Sequence, residues 1–158
     1  MFRSIWIVFA GFLPQFFAVY LWQTRIALSD RIAALCLITS QLVLFAFAWL
    51  NRKLPGMPIL LVGLVFNLLV MTANGGFMPI NPHTAEGLVG EGAVGSLQYG
   101  NRFGFKDILL PVSETNLEIL ADRFLLPASL PIQVAFSLGD VLIAFGAFWI
   151  LAYQKNFI

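Results

Sequence analysis

The chain has 158 residues, of which 59% are hydrophobic and only 11% are charged. A soluble domain carries about 25% charged residues, so this composition excludes an ordinary soluble domain and predicts an integral membrane protein. Nine basic residues nearly balance eight acidic ones, which excludes a nucleic-acid binder that works through a basic face. The single cysteine excludes an internal disulfide, and the single histidine excludes a metal site built from several histidines.

Four hydrophobic segments are long enough to cross a bilayer, for which a helix needs about 17–25 residues. They lie near residues 1–22, 32–50, 57–73 and 134–153. The loops between the first three segments are short, so these neighbouring helices should be antiparallel. Almost all of the remaining residues form one long loop, 74–133. The sequence therefore predicts an all-α, polytopic membrane bundle of about four transmembrane helices, a single domain over residues 1–158 that the long loop caps.

The distribution of basic residues among the short loops predicts the orientation of this bundle. The side with fewer basic residues carries Arg25 and Arg31. The richer side, which should be cytoplasmic, carries Arg3, Arg52, Lys53 and Lys155. We therefore expect a multi-pass protein of the cytoplasmic (inner) membrane, with both termini inside and the 74–133 loop outside.

The long loop divides into two halves of different composition. Residues 81–106 are rich in glycine and polar residues and predict an irregular excursion, whereas residues 107–133 are more apolar. Within the second half, residues 113–118 offer N-cap and early acidic residues, and Pro111 and Pro127 bracket the segment. We therefore expect a short amphipathic helix there, which lies along the membrane surface or against the bundle.

Four polar residues lie inside the predicted spans, where a bilayer penalises them: Gln15, Gln41, Asn67 and Asp140. Asn74 shares a face of the third span with Asn67. One interpretation is a polar binding pocket between helices, in which Asp140 responds to protons or cations. The other is that the amides join neighbouring helices, at about 0.6–2 kcal/mol for each hydrogen bond.

Asp140 has a further interpretation, because Ser137 and Asp140 have the spacing of a helix-capping box. In that case the last helix begins at Leu138 and its dipole stabilises the carboxylate. A capping role and a ligand-binding role are compatible with each other.

The turn after the third span, Asn74-Gly75-Gly76-Phe77-Met78-Pro79-Ile80, is typical of a sharp helix exit. Gly75 and Gly76 supply the left-handed conformations of a C-cap, and Pro79 prevents the helix from continuing. The alternative is that the Gly-Gly backbone approaches a ligand or a partner helix.

This turn forms a pair of motifs with the downstream segment Phe136-Ser137-Leu138-Gly139-Asp140-Val141-Leu142-Ile143. The pair resembles a family of small bacterial multi-pass membrane proteins that is catalogued only as a domain of unknown function. The resemblance covers roughly residues 60–153 and implies no activity, cofactor or substrate. It does imply that Ser137 and Gly139 belong to one structural unit with the turn, so the turn should pack beside the start of the last helix.

Three functional hypotheses remain. The first is an accessory or structural subunit that packs against other membrane proteins or against copies of itself, with an energy-transducing complex as one candidate assembly. The second is binding or transport of a small molecule, lipid or ion through Gln15, Gln41, Asn67 and Asp140. The third is a membrane enzyme at the outer face that uses His83, Glu86 or Asp122.

The sequence assigns no catalytic set, no metal site and no particular cofactor, so it favours a role without catalysis. The expected partners are the lipid bilayer and other membrane proteins.

Overall fold

The computed structural model describes residues 2–21, 27–90, 94, 98–127 and 129–154. Arg25 and Lys155, which contribute to the predicted orientation, lie outside the described residues. Most of the described chain is helical, and its four longest helices are α1 (Trp6–Gln15), α2 (Asp30–Leu50), α3 (Met57–Ala73) and α5 (Leu138–Gln154).

The helix bounds follow the predicted hydrophobic segments to different extents. Helix α3 coincides with the third segment, whereas α1 is shorter than the first and passes into a π-helical turn, Phe16–Tyr20. Helix α5 begins at Leu138 rather than near 134, because Ala135–Phe136 forms a strand just before it. Among the described residues, one helix, Asp30–Leu50, is both long and apolar enough to cross a membrane, and the shorter apolar helical segments are Trp6–Ala18, Met57–Ala73 and Leu138–Tyr153.

Helices α3 and α5 pack backbone to backbone through two pairs of glycines. A Cβ atom added to Gly63 would lie 2.5 Å from the carbonyl oxygen of Gly139, and one added to Gly146 would lie 2.8 Å from that of Gly56. The pairing of Gly63 with Gly139 and of Gly56 with Gly146 makes the two helices antiparallel. Small residues that allow such a close approach are characteristic of helix contacts in membranes.

Three groups of buried side chains form the core. One lies where α2, α3 and the turn after α3 meet: Ala18, Ala33, Leu37, Val70, Met71, Phe77 and Met78. The second lies at the opposite end of the bundle: Phe47, Ala48, Met57, Leu61, Leu64 and Ile150. The third belongs to the segment between α3 and α5, which we call the cap: Ile80, Ala85, Val94, Phe103, Leu109 and Ala135.

The cap contains two small sheets, which corrects the prediction of an all-α fold. Strands β1 (Met78–Ile80), β2 (Arg102–Phe103) and β3 (Asp107–Leu109) form the first sheet, in which β3 pairs parallel to β1 and antiparallel to β2. Strands β4 (Phe124–Leu125) and β5 (Ala135–Phe136) form an antiparallel pair. Pro79 lies within β1, which is an edge strand, and proline is tolerated there because the edge needs no further N–H donor.

The prediction of a short amphipathic helix after Pro111 is wrong. Residues 112–120 instead form two 3₁₀ turns, Val112–Glu114 and Glu118–Leu120, and Leu117 between them has a φ of 55°. The physical reason is a tertiary contact: Asn116 donates its backbone N–H to Asn74 Oδ1 at 2.9 Å and its side-chain amide to the carbonyl oxygen of Ala73 at 3.1 Å. These bonds hold Asn116 against the end of α3 and interrupt the local helix.

The cap helix lies instead in the glycine-rich half of the loop, where we expected an irregular excursion. Helix α4 (Pro82–Val89) begins with Asn81, whose Oδ1 accepts a hydrogen bond from the backbone N–H of Thr84 at 2.8 Å. Pro82 occupies the first helical position, where its missing N–H costs nothing, and Gly90 ends the helix with a φ of 96°. Local capping signals therefore define this helix.

The glycine contact gives a first prediction. The variant Gly63→Ala should lower the free energy of unfolding by about 1–3 kcal/mol, because the new methyl group meets a backbone carbonyl that cannot move alone. In the control Gly87→Ala, the new methyl group meets only the end of the Leu125 side chain, so the change should stay below about 1 kcal/mol. Denaturant unfolding of the purified protein in detergent measures both variants. Equal losses would contradict a special role for the contact between α3 and α5.

Candidate functional site

The C-terminal half of α3 and the start of α5 carry a closed set of hydrogen bonds. Asn67 donates its side-chain amide to Asp140 Oδ1 at 2.8 Å, and Ser137 donates its hydroxyl to Asn67 Oδ1 at 3.0 Å. Ser137 Oγ also accepts from the backbone N–H of Asp140, while Asp140 Oδ2 accepts from that of Ser137, each at 3.1 Å. This reciprocal pair has the geometry of a capping box. One carboxylate therefore caps α5 and joins it to α3.

Lys106 extends this set into the cap. Its Nζ donates to Asp122 Oδ2 at 2.7 Å and lies 3.8 Å from both Asp140 Oδ2 and Asp107 Oδ1. Asp122 is held in place by its own backbone N–H, which donates to the carbonyl oxygen of Pro79 at 3.0 Å. We call Asn67, Lys106, Asp107, Asp122, Ser137 and Asp140 the polar cluster. It joins the cap, α3 and α5 at one end of the bundle.

Burial and mutual attraction control the ionisation of the cluster. Burial raises the pKa of Asp107 to about 7; the ammonium of Lys106 opposes this rise, and the carboxylates of Asp122 and Asp140 add to it. Burial likewise raises the pKa of Asp122, although its ion pair with Lys106 lowers it. Burial alone would lower the pKa of Lys106, but the three carboxylates outweigh burial and raise it above its ordinary value. Lys106 is therefore a permanent cation, and Asp107 changes charge near neutral pH.

The cluster contains one cation and three carboxyl groups, and two of the carboxyl oxygens have no hydrogen-bond donor among the described residues. Asp107 Oδ1 and Asp122 Oδ1 are buried and accept no hydrogen bond within the part of the chain that the structure describes. The Asp122 side chain is only 1% exposed, whereas that of Lys106 is 32% exposed. Buried polar atoms are nearly always paired in proteins. Such a surplus of acceptors favours binding of a proton, which a hydrogen bond between the carboxyl groups of Asp107 and Asp122 can hold.

A cavity of about 540 Å³ lies beside the polar cluster. Its polar lining comprises Gln15, Lys106, Asp107 and Gln133. Its apolar lining includes Leu88, Val89, Phe103, Phe105, Ile132 and Val134. An apolar cavity with a few convergent polar groups is the usual form of a small-molecule site.

The structure distributes the site residues named from the sequence over several places. Asn67, Asp140 and Ser137 lie together in the polar cluster, and a Cβ atom added to Gly139 would clash with Asn67 Oδ1. Gln15 lines the cavity, and its backbone N–H donates to Ser40 Oγ at 3.1 Å. Gln41 lies elsewhere on α2, where its Oε1 is buried without a hydrogen-bond partner among the described residues.

Asn74 forms a separate junction between α3 and the cap. Its side-chain amide donates to the carbonyl oxygens of Val70 at 2.7 Å and of Asn116 at 2.8 Å. Gly75 and Gly76 follow with φ angles of 76° and 93°, and the N–H of Gly76 closes the helix end on the carbonyl oxygen of Met71 at 2.7 Å. A Cβ atom on Gly76 would lie 2.5 Å from that of Ala34, so this glycine also permits close contact with α2.

Sequence reasoning did not select Lys106 or Asp107, and it named Asp122 only for an enzymatic role. The available signal was the adjacent Lys106-Asp107 pair in a chain with few charged residues, but nothing local links it to Asp122 or Asp140. The described residues contain no group of three or more His, Cys, Asp or Glu placed to hold a metal ion. His83 is exposed on α4 and takes no part in the polar cluster.

The ion pair of Lys106 gives a second prediction. Lys106→Met should lower the free energy of unfolding at pH 8 by about 3 kcal/mol or more, because it leaves Asp122 buried without its cation. The double variant Lys106→Met/Asp122→Asn should recover most of this loss. The exposed pair Arg123–Glu118 is the control, for which Arg123→Met should cost less than about 1 kcal/mol. Denaturant unfolding measures all three, and a double variant no more stable than Lys106→Met would argue against the pairing.

A third prediction concerns pH. Because the native pKa of Asp107 exceeds that of the unfolded chain, the native protein binds an extra proton between about pH 4 and pH 7, so this residue makes stability fall as pH rises through that range. Asp107→Asn removes the effect. The difference in free energy of unfolding, variant minus wild type, should therefore increase from pH 4 to pH 8. The increase should be about 1.4 kcal/mol for each pH unit by which the native pKa of Asp107 exceeds its ordinary value. Parallel stability curves for the two proteins would mean that Asp107 titrates normally.

Comparison with known proteins identifies a family for almost the whole chain. A family model described as a family of unknown function (DUF5317) matches residues 1–152, including α1 and α2, which lie outside the motif pair. No curated protein and no solved structure matches the chain. The chain therefore belongs to the DUF5317 family.

Proposed function

We propose that this protein is a multi-pass protein of the bacterial inner membrane that binds a small amphiphilic molecule at the outer boundary of the bilayer. The observation that carries the proposal is the position of the polar cluster beside the 540 Å³ cavity. The polar group of the ligand would meet Lys106 and Asp107, and its apolar body would lie among the apolar side chains of the cavity.

The surfaces of the helices support a membrane location. In the most apolar window of α2 only 22% of the residues are buried, and large apolar side chains of this helix such as Leu35, Leu42 and Trp49 are exposed, unlike those of a core helix in a soluble protein. Helices α3 and α5 have 17 residues each, which gives a length of about 26 Å, close to the thickness of about 30 Å of a bilayer core. The polar cluster then lies where α5 begins, and its Asn67 lies six residues, or about 9 Å, before the C-terminal end of α3.

The charges of the cluster support a ligand that both accepts and donates hydrogen bonds. Lys106 offers N–H donors from a side chain that is partly exposed, and the carboxyl group of Asp107 gains or loses a proton near neutral pH. Gln15 and Gln133 add amide groups at the same cavity. Binding of such a ligand would be linked to the protonation of Asp107.

A second candidate function is the accessory subunit. The observation that favours it is an aromatic groove of about 280 Å³ on the outward face of α5, lined by Phe145, Phe148, Trp149, Ala152 and Tyr153. Aromatic residues are enriched at the interfaces between protein partners. Gentle solubilisation of native membranes and sizing of the particle would distinguish a large defined assembly from a monomer or small oligomer.

The orientation gives a fourth prediction. In a Cys36→Ser background, Tyr99→Cys in the cap should react with a membrane-impermeant maleimide in intact spheroplasts, whereas Lys53→Cys should react only after the membrane is opened. Tyr99 is an exposed residue of the cap, and Lys53 is an exposed residue between α2 and α3. The opposite labelling pattern would invert the topology, and labelling of both in intact spheroplasts would contradict a spanning bundle.

The ligand gives a fifth prediction. Native mass spectrometry of protein released gently from its own membranes should show a small amphiphile bound to the wild type. Val134→Trp, which fills the cavity, should lose this adduct, and Val141→Trp should keep it. The two valines are matched, because each is 45% exposed and only Val134 lines the cavity. An adduct that survives in Val134→Trp, or no adduct in the wild type, would count against the proposed function.

A further inference from the structure

A second cavity, of about 230 Å³, lies at the end of the bundle opposite to the cap. Its lining comprises Arg3, Leu50, Asn51, Arg52, Lys53 and Leu54. Three of these six side chains are cationic and none is acidic. We call this the basic cavity.

A buried asparagine brings the cations of the basic cavity together. Asn51 is 3% exposed and binds the backbone of Arg3 in both directions: its Oδ1 accepts from the N–H at 2.7 Å, and its amide donates to the carbonyl oxygen at 3.0 Å. The same amide donates to the carbonyl oxygen of Phe47 at 2.8 Å. These bonds hold Arg3 beside Arg52 and Lys53 despite their like charges, which repel one another unless an anion compensates them.

One of the three cations is held in position. The guanidinium of Arg52 donates to the carbonyl oxygen of Trp49 at 2.9 Å and lies 4.8 Å above the Trp49 ring. Trp49 is exposed, as expected for a tryptophan at the level of lipid headgroups. Arg52 thus needs little further ordering to bind an anion.

The chain has no acidic side chain close enough along its sequence to neutralise this end. All eight acidic residues lie between Asp30 and Asp140, that is, at the first residue of α2, in the segment between α3 and α5, or in the first turn of α5. Among the described residues, Asp30 pairs with Arg102 of the cap, and the other ion pairs involve Lys106 and Arg123. Among the described residues, therefore, no acidic side chain neutralises the basic cavity, which can attract an external anion.

We propose that the basic cavity binds the phosphate group of an anionic phospholipid of the inner leaflet. Guanidinium groups bind phosphate oxygens through paired hydrogen bonds, and the lysine adds a further charge. Leu50 and Leu54 line the same cavity and offer an apolar surface to the acyl chains. This inference rests on the proposed membrane location but not on the ligand of the outer cavity.

The test measures lipid binding by native mass spectrometry in detergent, with short-chain phosphatidylglycerol, phosphatidylcholine or inorganic phosphate as the added probe. The wild type should bind phosphatidylglycerol in preference to phosphatidylcholine. In Arg3→Gln/Lys53→Gln, the affinity for phosphatidylglycerol should fall about thirty-fold. The control Arg31→Gln/Arg123→Gln removes the same charge from outside the basic cavity and should bind as the wild type does.

Three outcomes would overturn the proposal. Equal losses of phosphatidylglycerol binding in the two double variants would mean that net charge, and not the basic cavity, attracts the lipid. Equal binding of phosphatidylglycerol and phosphatidylcholine by the wild type would exclude an anion site. Binding of inorganic phosphate that is lost in Arg3→Gln/Lys53→Gln, without binding of phosphatidylglycerol, would assign the cavity to a free anion. Melting temperatures without added lipid control for folding, and the maleimide experiment tests the membrane location separately.

Discussion

The close contact between α3 and α5 is the constraint on which the rest of the structure depends. Where Gly63 meets Gly139, the two backbones approach so closely that Asn67 of α3 reaches Ser137 and Asp140 directly. A side chain at either glycine would push the helices apart and lengthen these hydrogen bonds. The same contact therefore packs the bundle and aligns the polar groups onto which Lys106 of the cap closes.

The sequence predicts the helices of the bundle better than it predicts the cap. A long apolar run is a local property, and the run 57–73 coincides with α3. The cap depends on contacts between distant residues, such as the pairing of β1 with β3 and the bonds of Asn116 to the end of α3. For the same reason the amides and Asp140 could be selected from their position in apolar runs, whereas Lys106 and Asp122 acquire their roles only when the cap folds onto the bundle.

The acidic residues and the cations of the basic cavity lie at opposite ends of the bundle. The acidic residues lie at the cap end, where Lys106 and Arg102 balance some of them, and Arg3, Arg52 and Lys53 lie at the other end. This asymmetry orients a membrane protein, and it also leaves each end with charges that its own neighbours do not neutralise. Both cavities lie at such a place, which is why each is proposed to take a ligand that complements its charges.

Two hydrogen-bonded junctions join the cap to α3 and α5, and they differ in charge. Asn74 and Asn116 form one of them with neutral amides whose bonds are reciprocal. The other pairs the partly exposed Lys106 with three carboxyl groups, of which that of Asp122 is fully buried, at a desolvation cost that apolar residues of similar size would avoid. If the cap only had to be held in place, a second neutral junction would suffice. The charged junction therefore supports the proposed binding of a ligand, because it lies beside the cavity and holds buried carboxyl oxygens that accept no hydrogen bond from another group among the described residues.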